Sequence, residues 1–197
     1  VTLKASAGEN SYFAGWSGDA CGGITKPNCS FTIDNSKNII AIFELNPTLT
    51  LTKSGNGKAS IKSSTAGIDC GPDCSGGSAQ FTYKKKITLK ATLDPYSTFL
   101  GWDGFDCTGI TKPQCTILMD KSKNVTARLG LPDISISPSL STYDFKDVKL
   151  KQSSPPASFT IANHGTGNLI LTKIEILGTD SKLFKISGGG QKTIGPG

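Results

Sequence analysis

The sequence predicts an all-β protein in which a small, disulfide-stapled unit is written twice and a differently patterned β region follows. Three observations carry that prediction. Hydrophobic residues make up only 36% of the chain, which holds 23 glycines and 10 prolines in 197 residues. Short Val, Ile, Thr and Phe segments alternate with Gly, Pro, Asn and Asp clusters, and the long Ala/Leu/Glu runs of helices are missing. Second, residues 1–45 align with residues 87–131 without a gap: Phe13-Ala14-Gly15-Trp16-Ser17-Gly18 returns as Phe99-Leu100-Gly101-Trp102-Asp103-Gly104. A repeat of this kind points to modular architecture. Third, the six cysteines fall in close pairs, 21/29, 70/74 and 107/115.

The first unit, residues 1–46, starts with Val1, Leu3 and Ala5 alternating with Thr2, Lys4 and Ser6, as in a half-buried strand. A turn at residues 8–11 leads to a strand at 12–16, the cysteine loop, a strand at 30–33, a turn at 34–38 and a closing strand at 39–43. The second unit, residues 47–131, has an additional front portion. Leu49 and Leu51 alternate with threonines, and Ser54-Gly55-Asn56-Gly57 turns the chain into a strand at 58–62, which reads as a hairpin. A loop at 67–77 holds the 70/74 pair, a strand follows at 79–83, and Lys84-Lys85-Lys86 is expected to be a hairpin turn leading into the shared part. The first unit is therefore expected to lack its front half.

Beyond Pro132 cysteine disappears. Strands are expected at 133–137, 143–145, 157–163, 169–177 and 183–187, with the spacing of a partial immunoglobulin-like β-sandwich in residues 132–197. Only about five of its customary seven strands are visible, so an edge would be left for a strand from elsewhere.

The only cysteines in the first copy are Cys21 and Cys29, which pair them with each other; the repeat then pairs Cys107 with Cys115 and leaves Cys70 with Cys74. Each ring is expected to stabilise its unit by about 2–3 kcal/mol, and bridges at this density imply an oxidising compartment. The rival reading is a zinc site from Cys70, Cys74, Cys107 and Cys115, without a counterpart in the first copy. The formal charge is +6, and Arg128 is the only arginine. Without the bidentate guanidinium fork, dedicated nucleic-acid readout is disfavoured, and lysines on alternate strand positions read as solvated faces. No apolar stretch reaches membrane-spanning length, and the N-terminus lacks a charged-then-apolar signal pattern.

One difference between the copies stands out. The last strand of the second unit alternates Val125, Ala127 and Leu129 with Thr126 and Arg128, whereas the first has Ile39, Ala41 and Phe43 interleaved with Ile40 and Ile42. A strand apolar on both faces is covered on both faces, which makes Ile40 and Ile42 candidate interface residues. Trp16 and Trp102 are candidate stacking platforms for sugars, against the reading that a small unit spends its tryptophan on packing. His164, the only histidine, lies in a turn without a supporting nucleophile motif. Asp69, Asp73, Asp103 and Asp106 lack the spacing of a calcium loop. No catalytic motif, cofactor fingerprint or metal–histidine motif is present.

The first 131 residues resemble the divergent internalin-type B repeat of large bacterial surface proteins. The resemblance is carried by Leu49-Thr50-Leu51-Thr52, Gly67-Ile68-Asp69-Cys70-Gly71 with Cys74, Ile87-Thr88-Leu89-Lys90-Ala91, the Phe-x-Gly-Trp loop, Cys107/Cys115 and Lys123-Asn124-Val125-Thr126-Ala127. Residues 132–197 resemble the front of an immunoglobulin-like domain of the choice-of-anchor D or abnormal-spindle/hydin type, on Pro132-Asp133-Ile134-Ser135-Ile136-Ser137-Pro138 and Phe159-Thr160-Ile161-Ala162-Asn163-His164-Gly165. These resemblances imply a non-enzymatic, extracellular or cell-surface spacer, adhesive module or filament subunit, without cofactor. Self-association or neighbouring domains are the implied partners; binding of a glycan, a cell-wall polymer or another polyanion, through the lysines and the tryptophan loops, is the alternative.

Overall fold

A computed structural model describes residues 1–139 and 142–197. It is all-β: sixteen strands and two short 3-10 turns, with no α-helix among the described residues. The first unit contributes β1 (Thr2–Lys4), β2 (Ser11–Gly18), β3 (Asn28–Ser30) and β4 (Ile39–Leu45). The second contributes β5 (Thr48–Gly55), β6 (Ala59–Ser63), β7 (Asp69–Cys70), β8 (Gly76–Gln80), β9 (Lys86–Leu93), β10 (Thr98–Asp103), β11 (Gln114–Leu118) and β12 (Lys123–Gly130). The C-terminal segment holds β13 (Ile134–Ser137), β14 (Thr160–Asn163), β15 (Leu169–Leu171) and β16 (Lys192–Ile194).

The second unit is built from two four-stranded sheets, β10-β12-β5-β8 and β11-β9-β6-β7. Their inner faces share one core that includes Leu49, Leu51, Ile61, Ile87, Leu89, Trp102, Ile117, Met119, Val125 and Leu129. The chain passes repeatedly between the sheets, which corrects the expected hairpin at residues 54–57. Strand β5 is already paired with β12 on one side, in parallel, and with β8 on the other. No edge is left for β6, which pairs with β9 and β7 in the facing sheet. Gly55 makes the departure: its φ is +91°, and a Cβ there would lie 1.8 Å from the Leu129 carbonyl oxygen. The lysine run does form a turn, with Lys84 at φ +62°, but it also links different sheets and is no hairpin.

Strand β8 lies at Gly76–Gln80 rather than 79–83, because register against β5 pairs Thr48 with Gln80 and Thr52 with Gly76. Strand β3 likewise ends at Ser30 instead of running through 30–33, since its partner β1 begins at Thr2.

The repeated loop contains a bulge that reading by alternation did not anticipate. Residues three apart on a regular strand face opposite ways. Register shifts between Phe99 and Gly101, and between Phe13 and Gly15, insert one extra residue. Phe and Trp are thereby turned to the same side, where they meet edge-on with centroids 5.2 Å apart in the second unit and 5.3 Å in the first.

Lys123 is buried and held by Asp106 at 2.8 Å and Asp120 at 2.9 Å. Burial pushes its pKa down, but the two carboxylates outweigh burial and leave it raised. Hydrogen bonds from Lys123 in turn lower both Asp106 and Asp120.

In residues 132–197 the described strands form two separate pairs, β13–β14 and β15–β16, not two facing multi-stranded sheets. The expected strands at 143–145 and 183–187 are absent. Tyr143 and Phe145 instead join Phe159 and Phe184 in an aromatic cluster with centroids 4.9 to 5.9 Å apart, and Ser181–Leu183 is a 3-10 turn. The expected strand at 169–177 stops at Leu171, as far as its three-residue partner β16 reaches. That at 157–163 begins at Thr160, opposite Ser137.

Trp102→Ala is expected to destabilise the second unit by about 3–5 kcal/mol, as for other buried aromatic truncations. Trp16→Ala should cost less, because its surroundings are more open. Urea unfolding of both variants, followed by a near-UV signal, checks the order.

Candidate functional site

All three cysteine pairings expected from the repeat are present: Cys21–Cys29, Cys70–Cys74 and Cys107–Cys115. With every thiol engaged and no free cysteine, the alternative zinc set is unavailable. Both tryptophans are in the core. Trp102 is fully buried and Trp16 is 7% exposed. Each indole N–H donates at 3.1 Å to a loop carbonyl, that of Lys112 or Lys26. Neither ring presents a face on which a sugar can stack.

The four aspartates weighed for calcium each face a cation of the protein. Asp69 meets Lys62 at 3.0 Å, Asp73 meets Lys58 at 2.6 Å, Asp103 meets Arg128 at 2.8 Å and Asp106 meets Lys123. His164, exposed just after β14, shares a 2.9 Å hydrogen bond with Ser135 of β13.

The structure concentrates specific polar contacts at two joints between units. At the first, the Asn46 amide N–H donates to the Asn10 carbonyl at 2.7 Å, while its side-chain oxygen accepts the Tyr83 N–H at 3.1 Å. On the second unit's own side of the joint, Phe81 N–H donates to the Pro47 carbonyl, and Thr48 N–H to the Ser122 hydroxyl. Tyr12 of the first unit stacks on Tyr83 of the second, with centroids 3.8 Å apart and planes 9° from parallel. Shallow depressions of about 230 and 400 Å³ flank this stack.

At the second joint, the side-chain oxygen of Asn56 accepts both the Leu131 N–H at 3.0 Å and the Thr166 hydroxyl at 2.8 Å. Asn168 N–H donates to the Thr98 hydroxyl, and Gly167 N–H to the Leu131 carbonyl. Close backbone approach requires glycine here: a Cβ on Gly130 would sit 2.8 Å from the Thr166 backbone. Buried Asn163 completes the corner. Its amide donates to the carbonyls of Gly167, Ile194 and Gly195, and its oxygen accepts the N–H groups of Asp133 and Gly165. Sequence reading takes Asn46-Pro47 as a short joint but assigns no clamping role to Asn46, Asn56 or Asn163, because an asparagine in a connection looks like any turn residue.

Ile40 and Ile42 lie on the outer face of β4, 52% and 41% exposed. Their counterparts in β12 are Thr126 and Arg128, so they belong to the face that is wet in the second unit.

Residues 1–47 match the family model of the divergent InlB B-repeat domain. The match covers the first copy of the repeat, which supports reading this part of the chain as a repeat module of the bacterial surface-protein type. No curated protein and no solved structure matches the chain. The B-repeat match falls on a unit whose backbone contacts recur in the second copy. Trp16 N–H to Ile24 O and Trp102 N–H to Ile110 O are both 2.8 Å, and Ala5 N–H to Pro27 O at 2.9 Å matches Ala91 N–H to Pro113 O at 2.8 Å.

The Tyr12 hydroxyl donates to Glu44, and that hydrogen bond to a carboxylate holds its proton and raises its pKa to about 12. The protonated phenol is thus favoured in the folded joint. Its contribution is complete below the ordinary tyrosine value near 10 and is lost as pH rises through about 12. Ultraviolet titration should show one tyrosine ionising late, and Glu44→Gln should return it toward the others.

Proposed function

We propose that this chain is a non-enzymatic spacer of a secreted or cell-surface protein, in which small disulfide-stapled β units are held in line by pinned joints. The observation that carries this reading is the pair of joints. Each ends a strand, enters a proline-containing connection, and is clamped by an asparagine side-chain oxygen that accepts one hydrogen bond across the boundary, from the Tyr83 N–H at Asn46 and from the Thr166 hydroxyl at Asn56. A flexible linker would expose those groups to water; here they are satisfied by neighbouring units, which stiffens the array. The disulfides favour an oxidising, extracellular location, and the B-repeat match of residues 1–47 is in keeping with it.

Asn56→Ala removes the acceptor shared by Leu131 and Thr166 without touching a core residue. Small-angle scattering of the variant should show broader end-to-end distances, while the second unit keeps its melting temperature to within a few degrees. An unchanged scattering profile would remove the pinned-joint argument.

A second reading, self-association into filaments, is favoured by the exposed pair Ile40 and Ile42 beside the exposed Leu45 on β4. Replacing them by the residues of the second copy, Ile40→Thr with Ile42→Arg, should abolish concentration-dependent sedimentation and leave stability unaltered. A wild-type chain that sediments as a monomer at all concentrations speaks against it.

A further inference from the structure

The two copies of the repeat differ in what covers them, and that difference defines a docking surface on the first unit. Strands β1, β2, β3 and β4 correspond to β9, β10, β11 and β12. In the second unit β12 is paired in parallel by β5, and β9 is paired by β6. In the first unit β4 pairs only with β2 and β1 only with β3, so both corresponding edges are open among the described residues. The inner face is open with them. Ile87 is fully buried where Val1 is 61% exposed, Met119 is fully buried where Ile33 is 62% exposed, and Leu129 is 1% exposed where Phe43 is 43%. The back halves match in backbone contacts, disulfide, bulge and indole hydrogen bond. What separates the two environments is the front half, whose Leu49, Leu51, Ile61, Ile68 and Phe81 complete the second core.

We infer that this face of the first unit is a specific receptor for a front half-module of the design of residues 47–86, delivered in line with Val1. The required register can be read from the second unit. A strand alternating apolar residues with threonine runs parallel to β4, with its second leucine opposite Ile39, as Leu51 lies opposite Val125. A glycine must stand opposite Phe43, because Gly55 opposite Leu129 has no room for a Cβ. A second strand then runs antiparallel to β1, with an isoleucine opposite Ala5, as Ile61 lies opposite Ala91. In-line delivery follows from the connection: β9 contains both Lys86 and Ile87, so the front half leads into the position of Val1 with no intervening loop to close. An apolar face flanked by two unpaired edges is otherwise an aggregation hazard, and pairing by strand addition satisfies edge and core together. Nothing in this inference depends on the spacer reading.

The test joins a second copy of residues 47–86 directly ahead of Val1 in the full chain and measures amide exchange in β4. Exchange at Ile39–Leu45 should slow by about tenfold or more toward that of β12, the response expected of an edge that becomes a central strand. An Ile33→Cys reporter should lose its reactivity with a thiol reagent in the extended chain alone. The same extension carrying aspartate at both positions derived from Leu49 and Leu51 should leave β4 and the reporter as they are now. Unchanged exchange, protection that survives the aspartate substitutions, or an extension that stays unfolded beside a folded first unit would each overturn the inference. Equal protection by residues 47–86 added as a separate peptide would overturn the in-line arrangement.

Discussion

The indole of Trp102, with its counterpart Trp16, is the contact on which the repeat depends. A unit this small has little apolar volume to bury, so one large side chain must fill the space between sheets while its polar N–H is satisfied. Three local devices make this work. A bulge at Gly101 turns Phe99 and Trp102 to the same side, the Lys112 carbonyl accepts the indole N–H, and the Cys107–Cys115 bridge closes the loop that holds that carbonyl. Each depends on the others. Without the bulge the Phe–Trp pair would straddle the sheet, and without the ring the acceptor would not be held in place. The recurrence of this arrangement around Trp16 marks the pair of copies as one design.

Around that centre, polar groups act as pins. Lys123 is buried between two carboxylates, where losing one partner would leave a charge poorly compensated. At the unit boundaries the pins are amides. Asn46, Asn56 and Asn163 each bring a side chain to backbone groups left unpaired where strands end, and an amide suits this because it carries an acceptor and donors on a short, stiff stem. The joints are thus ordered by hydrogen bonds and a tyrosine stack instead of by a broad apolar interface. Their strength depends on a few atoms.

The first unit shows how far a half-built core can go. It keeps the back-half geometry of the second unit, yet its Val1, Ile33 and Phe43 remain exposed. Local chemistry therefore sets the shape of the back half, while burial requires the other half. Ile40 and Ile42 belong to a different question. They sit on the outer face, which a front half would leave uncovered.

The all-β class, the gapless repeat, the cysteine pairing and the last strand of each unit were legible in the sequence. These follow from local periodicity and from symmetry within the chain, and both are short-range or internal signals. The C-terminal segment was less legible. Apolar stretches such as Tyr143–Phe145 carry strand propensity, but propensity does not supply a partner strand, and these rings pack as a cluster. Sheet membership was not legible either. A Gly-rich turn between two strand patterns looks the same whether it folds them against each other or sends them to opposite sheets. Only the tertiary structure decided that β5 lies between β12 and β8, because neighbours distant in sequence occupy its two edges. It also decided that Phe and Trp share a face and that three asparagines hold the boundaries, since a bulge and a side-chain acceptor are defined by partners that alternation along one strand does not reveal.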